Sequence, residues 1–298
     1  MLAAGQYATA NTLLVLGSVS LLVAGWMPFV VILLILVFGS FADELSGEDL
    51  DRLGDRGRAF YNANLYLSLP LMCLLSVLLA VFARDASFTD QPLQTIGAIW
   101  VAGYLFALVG ATVGHELAHR QGWILQAAAH LLLGFTLNPS FVLYHVHLHH
   151  RRVGNYDDAS TARRGERLLV FFGRAVYGQF AQAAAVEAAR LRRKGIPVWS
   201  LRNRLILAFA APVSITAALA LVGGPRAVLF FGLAALLGRF FHELINFVQH
   251  YGLVRAENAP IRPRHSWDCY HRLSNVLHYN LPRHSDHHMF ATKPFWDL

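Results

Sequence analysis

Charge is scarce in this chain. Only 14% of its 298 residues are Asp, Glu, Lys or Arg, against about 25% in an ordinary soluble domain. Cysteine is scarcer still. The two present, Cys73 and Cys269, exclude a C-x-x-C redox or metal pair and any four-thiolate iron site. Cys73 lies inside an apolar run, which argues against a disulfide. The first residues carry no basic stretch, so no cleavable signal peptide is expected. There is no Gly-rich nucleotide loop and no flavin or nicotinamide fingerprint. No internal repeat or low-complexity tract occurs, and no basic–aromatic interleaving suggests nucleic acid. The net charge of +7 is mostly arginine and reads as the positive-inside bias of a membrane protein.

What is abundant is apolar length: 55% of the residues are hydrophobic. Residues 7–42 are almost continuously apolar, with Gly25-Trp26-Met27-Pro28 as the natural break into 7–25 and 27–42. A charged loop, Asp43 to Arg58, follows. Residues 64–83 and 95–114 make a second pair of spans, and 203–222 and 226–248 a third, turned by Gly223-Gly224-Pro225. The expected fold is all-α: one domain over 1–298, a polytopic membrane bundle of about six spans in three hairpins. A histidine-rich cap of 115–202 and 249–298 sits at one end. The arginine-rich loops fall on the cap side, which is therefore expected to be cytoplasmic. Within the cap, 166–193 reads as an amphipathic helix. Leu168, Leu169, Phe172, Val176, Phe180 and Ala183 would face the membrane, or pack on the protein's own domain.

Histidine is the other abundance. His145-Val146-His147-Leu148-His149-His150 places four imidazoles in six residues. On a helix, His145 and His149 share a face with His150 beside them, while His147 points away. His115 and His119 repeat the offset of four, and His284, His287 and His288 form a third cluster. Residues 123–143 are long enough to cross a bilayer. Crossing would hold His115 and His145 at least ~30 Å apart, so this stretch is expected to lie at or just under the interface. The last apolar run carries a polar stripe of Arg239, His242, Glu243, Asn246 and His250 on one helical face. Ionisable residues on a membrane helix are functional candidates. With His250 the candidate metal ligands number nine: His115, His119, His145, His149, His150, His250, His284, His287 and His288. Nine nitrogens suffice for two metals, and an all-nitrogen set suits iron, copper or zinc. Glu116, Asp157, Glu243 and Asp286 are placed to take the other ring N–H of ligating imidazoles, with Asn246 in the same stripe. His242 is expected to hydrogen-bond within the stripe.

These elements resemble the histidine boxes of the membrane alkane hydroxylases and xylene monooxygenases, a branch of the desaturase-like di-iron superfamily. Gly114-His115-Glu116-Leu117-Ala118-His119-Arg120 is similar to the first box, and 145–150 to the second. Asn246-Phe247-Val248-Gln249-His250-Tyr251-Gly252-Leu253 resembles the family's N-Y-x-E-H-Y-G-L motif. Leu281-Pro282-Arg283-His284-Ser285-Asp286-His287-His288 resembles its L-Q-R-H-S-D-H-H box. Trp199-Ser200-Leu201-Arg202-Asn203 and Asp158-Ala159-Ser160 agree as well. Departures are Tyr144 where the family usually has Glu, Leu148 for Gly, Gln249 for Glu and Arg120 for Lys.

The resemblance implies two iron ions, dioxygen as co-substrate and hydroxylation of a terminal methyl of an apolar molecule, an alkane or alkyl aromatic. It implies a bacterial inner-membrane location, with substrate entering from membrane lipid. Electrons would come from rubredoxin with its reductase, or from a ferredoxin-type reductase. Arg151, Arg152 and Arg283 near the boxes are candidate contacts for an acidic donor; membrane-facing positive charge explains them equally. Two other readings stand beside this one: a desaturase or hydroxylase of acyl chains or another lipid in the same superfamily, and a membrane metal transporter or zinc hydrolase.

Overall fold

An apolar run in lipid must close its backbone hydrogen bonds locally, which makes it helical. The computed structural model describes residues 5–298, and among them there is no strand, only an isolated bridge between Glu48 and His271. The helices are α1 (Thr9–Val23), α2 (Met27–Leu45), α3 (Arg58–Phe82), α4 (Pro92–Ala118), α5 (Trp123–Gly134), α6 (residues 141–152), α7 (Leu168–Arg193), α8 (Arg204–Ala208), α9 (Ala210–His250), α10 (Arg272–Leu277) and α11 (His284–Met289). Five runs are long and apolar enough to cross a membrane: Gln6–Val23, Met27–Leu45, Asp55–Phe82, Pro92–Ala118 and Arg204–His250. Their outward faces leave residues such as Leu22, Phe38, Phe41 and Leu221 exposed. The chain is an integral membrane protein.

The break between α1 and α2 falls where proline and glycine place it, with Ala24 and Gly25 at positive φ. The last run is interrupted at Gly224, whose φ of 66° and ψ of −158° are non-helical. Ala211 and Pro212 lie against Gly134, and Gly238 lies against Thr136. Two points far apart in α9 thus reach the same level, so the chain reverses at Gly224-Pro225.

α4 is the buried centre of the bundle. At Gly238 a β-carbon would meet the Gly103 carbonyl oxygen at 2.9 Å, and at Gly103 one would meet the Ala234 carbonyl oxygen at 2.7 Å. Small residues let two membrane helices approach closely. Here they seat the second arm of α9, with its polar stripe, against α4, which carries His115.

α5 does not run away from α4. Gly110 and Gly114 of α4 abut Leu132 and Leu133 of α5, so the helix packs back along the bundle. After a turn with Leu137 at φ 51°, α6 returns to the end of α4. The last segment is held from below by the Asp43–Arg58 loop. Asp43 binds the Ser274 backbone N–H and hydroxyl, and Arg283 donates to the Asp49 and Asp51 carbonyls. Tyr7, Tyr61, Tyr279, Phe295 and Trp296 form one buried aromatic cluster beneath it.

α7 departs from its sequence expectation at Ala183, which faces inward, while Leu169 and Phe180 face outward. Its buried stripe is Phe171, Ala175, Gln179, Ala183, Glu187 and Leu191. Polar residues decide the face, because buried Gln179 and Glu187 must find partners: Gln179 bonds Glu243, and Glu187 bonds Arg190 and Arg204.

Candidate metal centre

All nine candidate histidines converge, in two groups. His115, His119, His145, His150 and His287 form one; His149, His250, His284 and His288 form the other. Within each group the potential ligand nitrogens lie within 4.8 Å of one another. The rings of His115 and His145 are 4.1 Å apart, which is possible only because α5 folds back.

The helix carrying the second cluster is not α-helical where it matters. Residues His145–His149 form a π-helical turn, a wider turn frequent at functional sites. Sequence periodicity expects His145 and His149 together. The π turn instead brings His150 beneath His145, with their Nε2 atoms 2.8 Å apart, and hands His149 to the other group. A second π segment, Phe106–Ala111, precedes His115 in α4. His147 belongs to neither group.

The nitrogen spacing fits a metal shell. Nε2 atoms face each other at 2.9 Å for His115 and His287, 3.1 Å for His119 and His145, 3.1 Å for His250 and His284, and 3.0 Å for His284 and His288. Two ligand nitrogens at right angles, each about 2.1 Å from one metal, are about 3.0 Å apart. Protonation would destroy this arrangement, and burial prevents it. Burial, with the neighbouring imidazoles, pushes His145, His150, His284, His287 and His288 well below the usual histidine range, and His119 down to about 4. The neutral imidazole is the form that binds metal.

One carboxylate reaches a candidate ligand, and it is not one of those expected. Asp158 is buried and its Oδ2 is 2.9 Å from His149 Nδ1. Burial alone would raise its pKa; the His149 contact and its hydrogen bonds hold it below the usual value. Asp157, the neighbour expected in that role, is exposed. Glu116 pairs with Arg120, and Asp286 with Lys293. Neither holds an imidazole among the described residues. The Asp158-Ala159-Ser160 agreement with the family was the signal that could have placed the acid one residue later.

Asp158 ends a continuous buried network. Tyr144 donates to Asp158 and accepts from the Ser160 hydroxyl, at 2.9 Å, and from the Ser160 N–H. Gln179 donates to Ser160 and to Glu243, and accepts from Arg239. Glu243 also pairs with Arg239 at 3.0 Å and accepts from Asn246. Tyr144 thus fills the place of the family's glutamate by binding a nearby acid. Asp158→Asn should lower metal affinity about 10- to 100-fold, the usual cost of losing an outer carboxylate on a ligating imidazole; metal titration of the purified variant checks this.

A cavity of about 440 Å³ abuts both groups, walled by His115 and His145 of the first and His149 and His284 of the second. Ala107, Ala111, Phe141, Leu244, Ile245 and Val248 supply apolar wall, and His242, Asn246, Gln179 and Thr112 supply polar points. An apolar pocket with a few placed polar groups is the usual form of a small-molecule site. Arg151 and Arg152, which follow His150 in the chain, are exposed, whereas Arg283 is buried and spent on backbone carbonyls.

Comparison with known proteins agrees with this geometry. A family model described as fatty acid desaturase matches residues 91–298. Alkane 1-monooxygenase 1 of Pseudomonas aeruginosa is 36% identical over 213 residues, covering 68% of this chain and 54% of that protein. Alkane 1-monooxygenase 1 of Alcanivorax borkumensis is 30% identical over 290 residues, covering 92% and 70%. The xylene/toluene monooxygenase hydroxylase component of Pseudomonas putida is 31% identical over 240 residues, covering 80% and 65%. The chain spans about half the length of the Pseudomonas aeruginosa relatives it matches.

Proposed function

Because the chain belongs to the fatty acid desaturase family, and within it to the branch of alkane and xylene monooxygenases, we propose that it is a non-haem di-iron membrane monooxygenase. It hydroxylates an unactivated C–H bond, at a terminal methyl, of an apolar substrate such as an alkane or alkyl aromatic. The observation that carries this reading is the partition of nine imidazoles into groups of five and four, each group giving two histidines to the wall of one largely apolar cavity. Two irons held by these groups would supply the redox chemistry that activates dioxygen.

The protein's own residues have the remaining tasks. Asp158 fixes His149 in one tautomer through Nδ1, leaving Nε2 for the metal. The apolar wall excludes water and holds one C–H bond against the histidine groups; that orientation sets which carbon reacts. We read the bundle as six crossings in three hairpins, with 115–202 and 249–298 as a cytoplasmic cap at the inner membrane of a bacterium. Electrons arrive from rubredoxin and its reductase or from a ferredoxin-type reductase, for which exposed Arg151 and Arg152 are the docking candidates.

Turnover under heavy dioxygen tests the proposal. Membranes receive NADH, rubredoxin, its reductase and a mixture of alkane, alkylbenzene and fatty acyl substrates. Heavy oxygen is expected in a primary alcohol. An unlabelled product with a new double bond would make the protein a desaturase. Absence of both iron and product would return it to the transporters or zinc hydrolases.

A further inference from the structure

Two histidines in the cavity wall belong to neither metal group: His278, whose Nδ1 bonds the Ser274 carbonyl, and His242, which no neighbour holds among the described residues. The Nδ1 of His242 is buried without a partner, and its ring makes no hydrogen bond among the described residues. The polar stripe it shares is committed elsewhere: Glu243 accepts from Gln179 and Asn246 and pairs with Arg239. This overturns the expectation that His242 hydrogen-bonds within that stripe.

Its position is close to the metal groups. The His242 ring lies 5.2 Å from Phe141, and Phe141 lies 5.3 Å from His115 and 4.6 Å from His145. Asn246 is one turn further along α9 and lines the same cavity. Its amide N–H is given to Glu243, which leaves the amide oxygen as an acceptor.

The nitrogen that a molecule in the cavity can reach is Nε2, which has no partner among the described residues, and a hydrocarbon has neither donor nor acceptor to offer it. We infer that the cavity takes a molecule with an apolar body and one oxygen function, a hydroxyl or carbonyl, and that His242 is the specificity-determining residue that pairs with it. The oxygen function would lie near the reacting carbon, since Phe141 bridges His242 to the first histidine group. A neutral imidazole serves either partner at Nε2, donating in one tautomer and accepting in the other. This inference rests on the cavity being the substrate site of the proposed oxygenase.

Binding tests it without turnover. Radiolabelled dodecane and 1-dodecanol are bound to iron-loaded protein in lipid nanodiscs, with wild type compared to His242→Leu and His242→Gln. Empty nanodiscs correct for partition into lipid. Wild type should prefer the alcohol about tenfold, the size of one recovered buried hydrogen bond. His242→Leu should bring the ratio near one, and His242→Gln should restore part of it. A ratio unchanged in a folded, iron-bearing His242→Leu protein would overturn the inference. So would a wild type indifferent to the hydroxyl, which stands even if the leucine variant does not fold. A preserved preference with no labelled product would instead sink the oxygenase reading and leave the role of His242 in binding intact.

Discussion

His149→Ala should reduce bound iron from about two per chain to about one, and activity should fall at least about 100-fold. His149 is one of only four imidazoles in its group. Losing a ligand must exceed the 10- to 100-fold cost of losing an outer partner. The substitution also strands Asp158, a carboxylate with essentially no solvent exposure whose charge is answered by His149. An unpaired buried charge adds its own penalty. The informative control is His265→Ala. His265 is also buried, but its side chain belongs to neither group and its Nδ1 accepts from the Arg262 backbone N–H. That variant should keep both iron and turnover. Elemental analysis of the two purified proteins decides the matter, and equal iron loss in both would refute the ligand assignment.

The second large effect is expected at Glu243. Its carboxylate is paired with Arg239 at 3.0 Å, and both side chains are at most 5% exposed. They lie on a helix that reads as membrane-spanning, where an uncompensated arginine has no water to turn to. Glu243→Leu should destabilise the protein by about 3–5 kcal/mol, the cost of breaking a buried pair from one side. Arg239→Met combined with Glu243→Leu should recover most of that loss, because removing both charges removes the desolvation cost along with the attraction. Glu243→Gln should fall between, keeping an acceptor for Asn246 and Gln179 while losing the charge. Denaturation midpoints in detergent measure all three. A double variant as unstable as the single one would show that the pair is not what holds this part of the bundle.

The two experiments bear on one structure. Glu243 and His149 are the ends of the same chain of side chains, through Gln179, Ser160, Tyr144 and Asp158. The Arg239–Glu243 pair sits on α9 in the bundle, and His149 sits in the metal group. Loss at one end is therefore expected to loosen, without abolishing, the geometry at the other.

The one-dimensional pattern determined what depends on local period and length. Apolar runs with few charges must be helices in lipid, and five helical runs are long and apolar enough to cross a membrane. The offsets of four in 115–119 and 284–288 place both members of each pair in one group, because an α-turn aligns residues four apart. The three boxes and the H-Y-G-L stretch carried the family. What depends on packing between distant segments was decided only in three dimensions. The π turn at His145–His149 changed which histidines pair, since a wider turn aligns residues five apart. The choice of Asp158 over Asp157 followed from which of two adjacent carboxylates the fold turned inward. The isolation of His242 followed from Glu243 finding all its partners on α7 and α9. A periodic pattern tells which face a side chain is on; only the neighbouring helix tells whether anything there can bond to it.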